Sequence, residues 1–222
     1  MAHVINLNPM IFMKALLCLL FAGLVMSSRA DDQTNSTSVE TIVCLRHGEK
    51  PKAGLGQMNC RGLNRALAAP KVLFAKFGKP QFIFACNPSQ KIDELPPWMQ
   101  KADDDKYFYL RPLAFIEPTA IECGLPVNIE YGFLDITNLQ TELQQPKYKN
   151  ATVYVSWEHI LLDDFAKNVL KDNGGDAAQV PDWSNDEYDM FFVLKITNES
   201  GKKSISFAVD HQGLNGLSDD CP

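Results

Sequence analysis

Thr41-Ile42-Val43-Cys44-Leu45-Arg46-His47-Gly48-Glu49-Lys50-Pro51 is the stretch on which the fold reading turns. After its opening threonine the run is apolar, the composition of a buried strand, and it then breaks abruptly into Arg46-His47-Gly48. In an α/β sheet the lip at which such strands end is where ligands bind. An arginine at that lip is an oxyanion donor, and a histidine beside it is a nucleophile or a general base.

Two further apolar runs have the same form. Gln81-Phe82-Ile83-Phe84-Ala85 ends at Cys86-Asn87-Pro88-Ser89, and Ala151-Thr152-Val153-Tyr154-Val155-Ser156-Trp157 ends at Glu158-His159. Between them the period changes. Leu63, Leu67, Val72, Leu73 and Phe77 give Gly62 to Phe77 a helical pattern, in which Pro70 predicts a kink or two shorter pieces. Pro112 opens a helix whose buried face is Leu113, Ile116, Ala120 and Cys123, ended by Gly124. Weaker helical signals cover Ile136 to Gln145, and a stronger one runs from Ile160 to Lys171. Met190–Thr197 and Ser204–Val209 read as a hairpin around Asn198-Glu199-Ser200-Gly201. Residues 90–106, with Pro96-Pro97 and Asp103-Asp104-Asp105, read as an irregular surface insertion. This alternation predicts a three-layer α/β/α sandwich with a largely parallel central sheet and a C-terminal β-hairpin at its edge.

Lys14 followed by the apolar run Ala15 to Met26 and by Ser28-Arg29-Ala30 has the form of a secretory signal, too short for a comfortable membrane span. The expected organisation is a signal peptide over 1–30, a polar linker over 31–40 and one domain over 41–222. The chain is then exported, periplasmic or extracellular, after cleavage near Ala30, with no stable membrane insertion. Cleavage there leaves 19 basic and 27 acidic residues, a net charge of −8. That balance excludes the basic surface that nucleic acid or an anionic membrane requires. Five cysteines remain after cleavage. Cys44 lies inside an apolar strand and reads as core, whereas Cys60 and Cys221 lie in polar surroundings and are the expected disulfide in an oxidising compartment. No Cys-x2-Cys or His/Cys cluster announces zinc.

Of the four histidines, His3 lies in the leader and His211 lies outside any pattern, leaving His47 and His159, each at the end of a strand. Strand ends on one edge of a parallel sheet converge, so these two face one pocket, with Arg46 beside them and Arg111 at the start of a helix. Two arginines and two histidines suit phosphoryl transfer. Guanidinium forks hold the phosphoryl oxygens, a neutral imidazole attacks phosphorus, and a carboxylic acid protonates the leaving alkoxide. Glu49 and Lys50 either line the entrance to the pocket or form an exposed ion pair. No mature cysteine has an arginine six positions later, and there is no Gly-x-Ser-x-Gly elbow or Gly-x4-Gly-Lys-Ser/Thr loop.

The run Leu45 to Pro51 resembles the signature of the histidine phosphatase (phosphoglycerate-mutase-like) superfamily. The run Arg111 to Val127 is similar to its second-arginine helix, with Phe115 where threonine is usual, and Val153 to His159 is similar to the strand carrying its second histidine. The tail from Asp210 to Pro222 also resembles an exported or bacterial subgroup. The resemblance implies that His47 is a phosphorylated nucleophile, that Arg46 and Arg111 bind phosphate, and that His159 acts on the transition state. It implies a small phosphorylated substrate and neither metal nor organic cofactor. Two carboxylates are candidates for the acid. Asp135 falls at the spacing of the mutase-like branch and is the favoured one, and Glu158 immediately precedes His159. The expected function is hydrolysis of a phosphomonoester through a phosphohistidine. The alternative is a catalytically inactive relative that binds a phospho-ligand or serves as an envelope binding protein.

Overall fold

The structure is a computed structural model and describes residues 37–53, 55–89 and 107–222. The expected signal peptide and the 90–106 insertion lie outside the described residues. Six strands form one sheet: β1 (Thr37–Arg46), β2 (Phe82–Ala85), β3 (Val127–Asn128), β4 (Thr152–Trp157), β5 (Met190–Glu199) and β6 (Lys202–His211). Their order is β3-β2-β4-β1-β5-β6. The first four are parallel, with β4 between β2 and β1, and the β5–β6 hairpin adds antiparallel strands at the edge beyond β1. β1 begins at Thr37, so Thr37 to Glu40 are strand rather than linker. They pair with Ile196 to Glu199 across the hairpin, a partnership that local polarity does not reveal.

Among the described residues four helices cover the two faces: α1 (Cys60–Phe77), α2 (Arg111–Cys123), α3 (Ile136–Leu143) and α4 (His159–Asp172). Alternation along β1 divides the core. Ile42 and Cys44 join α3 and α4 on one face, while Val43 and Leu45 join α1 and α2 on the other. The result is a three-layer α/β/α sandwich. Burial of β1 on both faces explains why it reads as a continuous apolar run.

Two helical readings need correction. α1 is one continuous helix through Pro70, not two pieces, and its buried face is Gly62, Arg65, Ala66, Ala69, Pro70 and Leu73. Leu63 and Leu67, which gave the helix its apparent period, are exposed. The cause is close packing. A Cβ on Gly62 would lie 2.3 Å from the Glu49 carbonyl oxygen, and one on Gly48 would lie 2.7 Å from Gly62 Cα. Small residues therefore face the sheet where α1 begins, and leucines face out. In α2, Phe115 is fully buried beside Ile116 and Ala120, whereas Leu113 and Cys123 are only partly buried. No helix among the described residues is long and apolar enough to cross a membrane.

Candidate active site

The parallel strands end together along one edge, and the polar groups gather there. Arg46 is the last residue of β1 and His47 follows it; Arg111 is the first residue of α2; Glu158 follows β4 and caps α4, whose first residue is His159. All five are buried. Burying this much charge is costly unless each group is paired or meets a ligand.

The pairing is specific. One Arg46 terminal nitrogen donates to the Ser184 carbonyl at 3.0 Å and the Glu187 carbonyl at 2.8 Å, and the guanidinium carbon stacks 4.0 Å from the centre of the Tyr188 ring. Arg46 Nε is buried without a hydrogen-bond partner. Arg111 stacks in the same way on Tyr109, at 4.5 Å. The His47 ring sits between the two tyrosines, 5.9 Å from Tyr109 and 6.1 Å from Tyr188 between centroids. The Tyr109 hydroxyl is itself buried without a partner.

His47 Nδ1 lies 2.7 Å from the Gly48 carbonyl oxygen. A carbonyl only accepts, so Nδ1 carries the proton and Nε2 keeps its lone pair. Burial first, then the charges of Arg111 and Arg46, hold this imidazole well below its usual pKa, against the pull of the Gly48 bond. His47 is thus a neutral ring whose Nε2 keeps its lone pair. Burial lowers the Arg46 guanidinium as well, opposed by Tyr188, Tyr109 and Glu158.

On the other side, His159 Nε2 lies 3.1 Å from the Asn185 side-chain oxygen, and its Nδ1 lies against a Glu158 carboxyl oxygen. Glu158 also accepts from the Leu161 amide at 3.1 Å, which caps α4. The structure brings Arg46, His47, Arg111, Glu158 and His159 to one edge. Asp135 lies in the turn ahead of α3, whose Gly132 bridges to Asn87 just beyond β2 and whose Phe133 packs on Tyr109. Its carboxylate is exposed at the start of α3 and accepts from the Gly132 amide at 3.0 Å, closing its own turn. Glu49 is not an exposed partner of Lys50. It pairs bidentately, at 2.7 and 3.0 Å, with the buried Arg65, which also reaches Asp189 at 3.0 Å.

Tyr109, Tyr188 and the Ser184–Glu187 carbonyls were missed by sequence reasoning. Tyr109 lies two residues ahead of Arg111, a proximity that offered a signal; Tyr188 is reached only through the fold. Burial drives the thiols of Cys44 and Cys86 well above the ordinary thiol range, so neither supplies a thiolate. Cys60 and Cys221 form a disulfide at the start of α1. Among the described residues, no group of three or more His, Cys, Asp or Glu side chains is arranged to hold a metal ion.

No protein-family model matches the sequence, and no curated protein matches it. The fold is similar to that of the mycobacterial glucosyl-3-phosphoglycerate phosphatase. The identity is 13%, the match covers 78% of this chain and 98% of that one, and the TM-score is 0.51. The same enzyme in complex with inorganic phosphate matches at 15% identity over 77% of this chain and 95% of that one, TM-score 0.47. A phosphoglycerate mutase from Plasmodium falciparum matches at 11% identity over 77% and 89%, also with a TM-score of 0.47. At such identities the likeness of the first is a likeness of fold.

Proposed function

We propose that this chain is a phosphomonoester hydrolase of the histidine phosphatase type, acting through a phosphohistidine on His47. The observation that carries the reading is the His47 ring itself. It is neutral, has its proton held on Nδ1 by the Gly48 carbonyl, and feels the charges of two buried arginines. Arg46 and Arg111 hold the non-bridging phosphoryl oxygens, and the unpartnered Arg46 Nε is one donor available to them. His47 Nε2 attacks phosphorus as the bond to the leaving oxygen breaks. His159 contributes positive charge to the phosphoryl group, and Glu158, in its acid form, gives its proton to the departing alkoxide. Water then attacks the phosphohistidine and returns a proton to Glu158, releasing phosphate and neutral His47. The residues assembled here call for no metal or organic cofactor in these steps. Export after cleavage near Ala30 belongs to the same reading and is supported by the disulfide, which persists in an oxidising compartment.

Leaving-group dependence tests the assignments together. His47→Ala abolishes hydrolysis of every phosphomonoester. Glu158→Gln leaves p-nitrophenyl phosphate, whose leaving group needs little protonation, nearly unaffected, yet slows an alkyl phosphate by about 10²–10⁴-fold. Asp135→Asn changes both rates by less than about twofold, since its side chain serves a turn whose loss amounts to a surface effect. A selective loss with Asp135→Asn instead would transfer the acid role to that residue. Phosphate binding without turnover of any phosphoester would make the chain a binding protein.

A further inference from the structure

A cavity lies between the sheet and the α3/α4 layer, beside the start of β1. It measures about 60 Å³. A single water needs about 10–15 Å³ by this kind of measure, so the space takes a small organic molecule of several atoms. Its apolar walls come from Ile42, Leu143, Val169 and Ile196. Two polar groups lining it lack partners. Glu40 is 7% exposed, and its Oε1 is buried without a hydrogen bond. Asn173 Oδ1, at the end of α4, is likewise buried and unpaired, because the amide nitrogen of that side chain donates to the Val169 carbonyl at 2.7 Å.

Both vacant groups are oxygen acceptors. The amides that might have served them are engaged, since Gln140 and Gln144 donate to Asp172. An unsatisfied buried acceptor is destabilising, and a carboxylate more so. The complement is a compact group that carries several N–H donors and a positive charge, attached to a short hydrocarbon body.

We propose that this cavity binds a small aliphatic ammonium compound, its head on Glu40 Oε1 and Asn173 Oδ1 and its carbon body against Leu143, Val169 and Ile196. Glu40 precedes Arg46 by six residues on one strand, roughly 20 Å at the rise of an extended chain, so the site is separate from the phosphoryl chemistry. Two sources share this chemistry, a simple monoamine and a free aliphatic amino acid. The exposed Lys149 and Lys203 at the rim are placed to meet the carboxylate of the second.

Lys203 on β6 and Lys149 on the turn before β4 are the charged groups lining the cavity besides Glu40. Asp172 on α4 stands behind Gln140, while α3 and β5 contribute amides and apolar groups. Burial raises the Glu40 carboxyl to about 7, opposed by Lys203. The ammonium site is therefore charged above that pH and neutral below it.

Calorimetric titration of the full chain with n-propylammonium chloride and with norvaline tests the proposal. Saturable binding is expected near pH 8, roughly tenfold weaker near pH 6 as Glu40 takes up a proton, and lost in Glu40→Gln. Tighter binding of norvaline identifies an amino-acid site, and tighter binding of propylammonium identifies a monoamine site. Amide chemical shifts in the unmutated chain should move at Glu40, Val169 and Asn173, which decides the matter even if the variant folds poorly. Failure of both probes to saturate, equal affinity at the two pH values, retention in Glu40→Gln, or shifts centred on Arg46 and Arg111 would overturn it.

Discussion

His47 is held neutral by what surrounds it, and that state has a thermodynamic consequence apart from catalysis. In the unfolded chain its imidazole takes up a proton near pH 6.5, whereas in the fold it does so only well below that value. Below pH 6.5 the unfolded state therefore binds more protons, so the stability contributed by the buried neutral ring is complete above pH 6.5 and is lost as pH falls below it. His47→Asn, which does not titrate, should remove this slope. Between about pH 6.5 and 5 the unfolding free energy of the unmutated chain should fall relative to the variant by about 1.4 kcal/mol per pH unit, measured by urea denaturation. Parallel curves would mean that the ring protonates in the fold, which is incompatible with a nucleophile held ready under the charges of two arginines. The chemistry at this scale was legible in part. Arg46, His47, Arg111, Glu158 and His159 could be picked out because strand ends and helix starts mark the catalytic edge of an α/β sheet. The choice between Asp135 and Glu158 as the acid was not legible, because spacing gives distance along a chain but not the direction in which a turn points an oxygen.

At the scale of elements, the strands declared themselves, since burial on both faces leaves an apolar run that needs no partner to be recognised. The helices were harder. α1 was found by its leucines, but Leu63 and Leu67 face solvent, and the packing face is built from glycine, alanine, proline and a buried arginine. Close approach of two backbones selects small residues, and small residues leave no hydrophobic period to detect. Gly62 gives this a test with an inverted sign. In an ordinary helix interior, glycine to alanine stabilises by about 0.5–1 kcal/mol. Here the added methyl would sit 2.3 Å from the Glu49 carbonyl oxygen, so Gly62→Ala should destabilise by about 1–3 kcal/mol. It should also reduce phosphoester turnover, because the backbone it displaces joins His47 to Glu49. Stabilisation by this substitution would mean that α1 sits farther from the catalytic edge than described.

Across the whole molecule, the C-terminal tail reaches back to support that edge. Gln212 donates from its backbone to the Asp189 carbonyl and from its side chain to the Tyr188 carbonyl, while the amides of Gly213 and Leu214 donate to the Asp189 carboxylate. Asp189 in turn meets Arg65, and Arg65 meets Glu49, next but one to His47. Farther along, Asn64 donates to the carbonyls of Ser218 and Asp220, and the Cys60–Cys221 disulfide ties the end of the tail to the start of α1 across 161 residues of sequence. The pair of cysteines was legible from their polar settings. The network they enclose was not, because its central link, Arg65 to Asp189, spans 124 residues of sequence. Replacing both cysteines by serine should cost about 2–5 kcal/mol of stability by denaturant unfolding. It should also raise KM for a phosphorylated substrate more than it lowers kcat, since the tail positions Tyr188 over Arg46. An unchanged stability would show that the noncovalent contacts of the tail suffice.

Catalysis through a phosphohistidine requires a covalent bond to one nitrogen, Nε2 of His47. Rapid acid-free quenching of the full chain during turnover of a ³²P-labelled phosphomonoester, followed by peptide mapping, measures it directly. The predicted result is an acid-labile, base-stable label on the peptide containing His47, absent from His47→Ala, which also fails to turn over. Turnover that persists in His47→Ala, or a label that maps to any other residue, would contradict it.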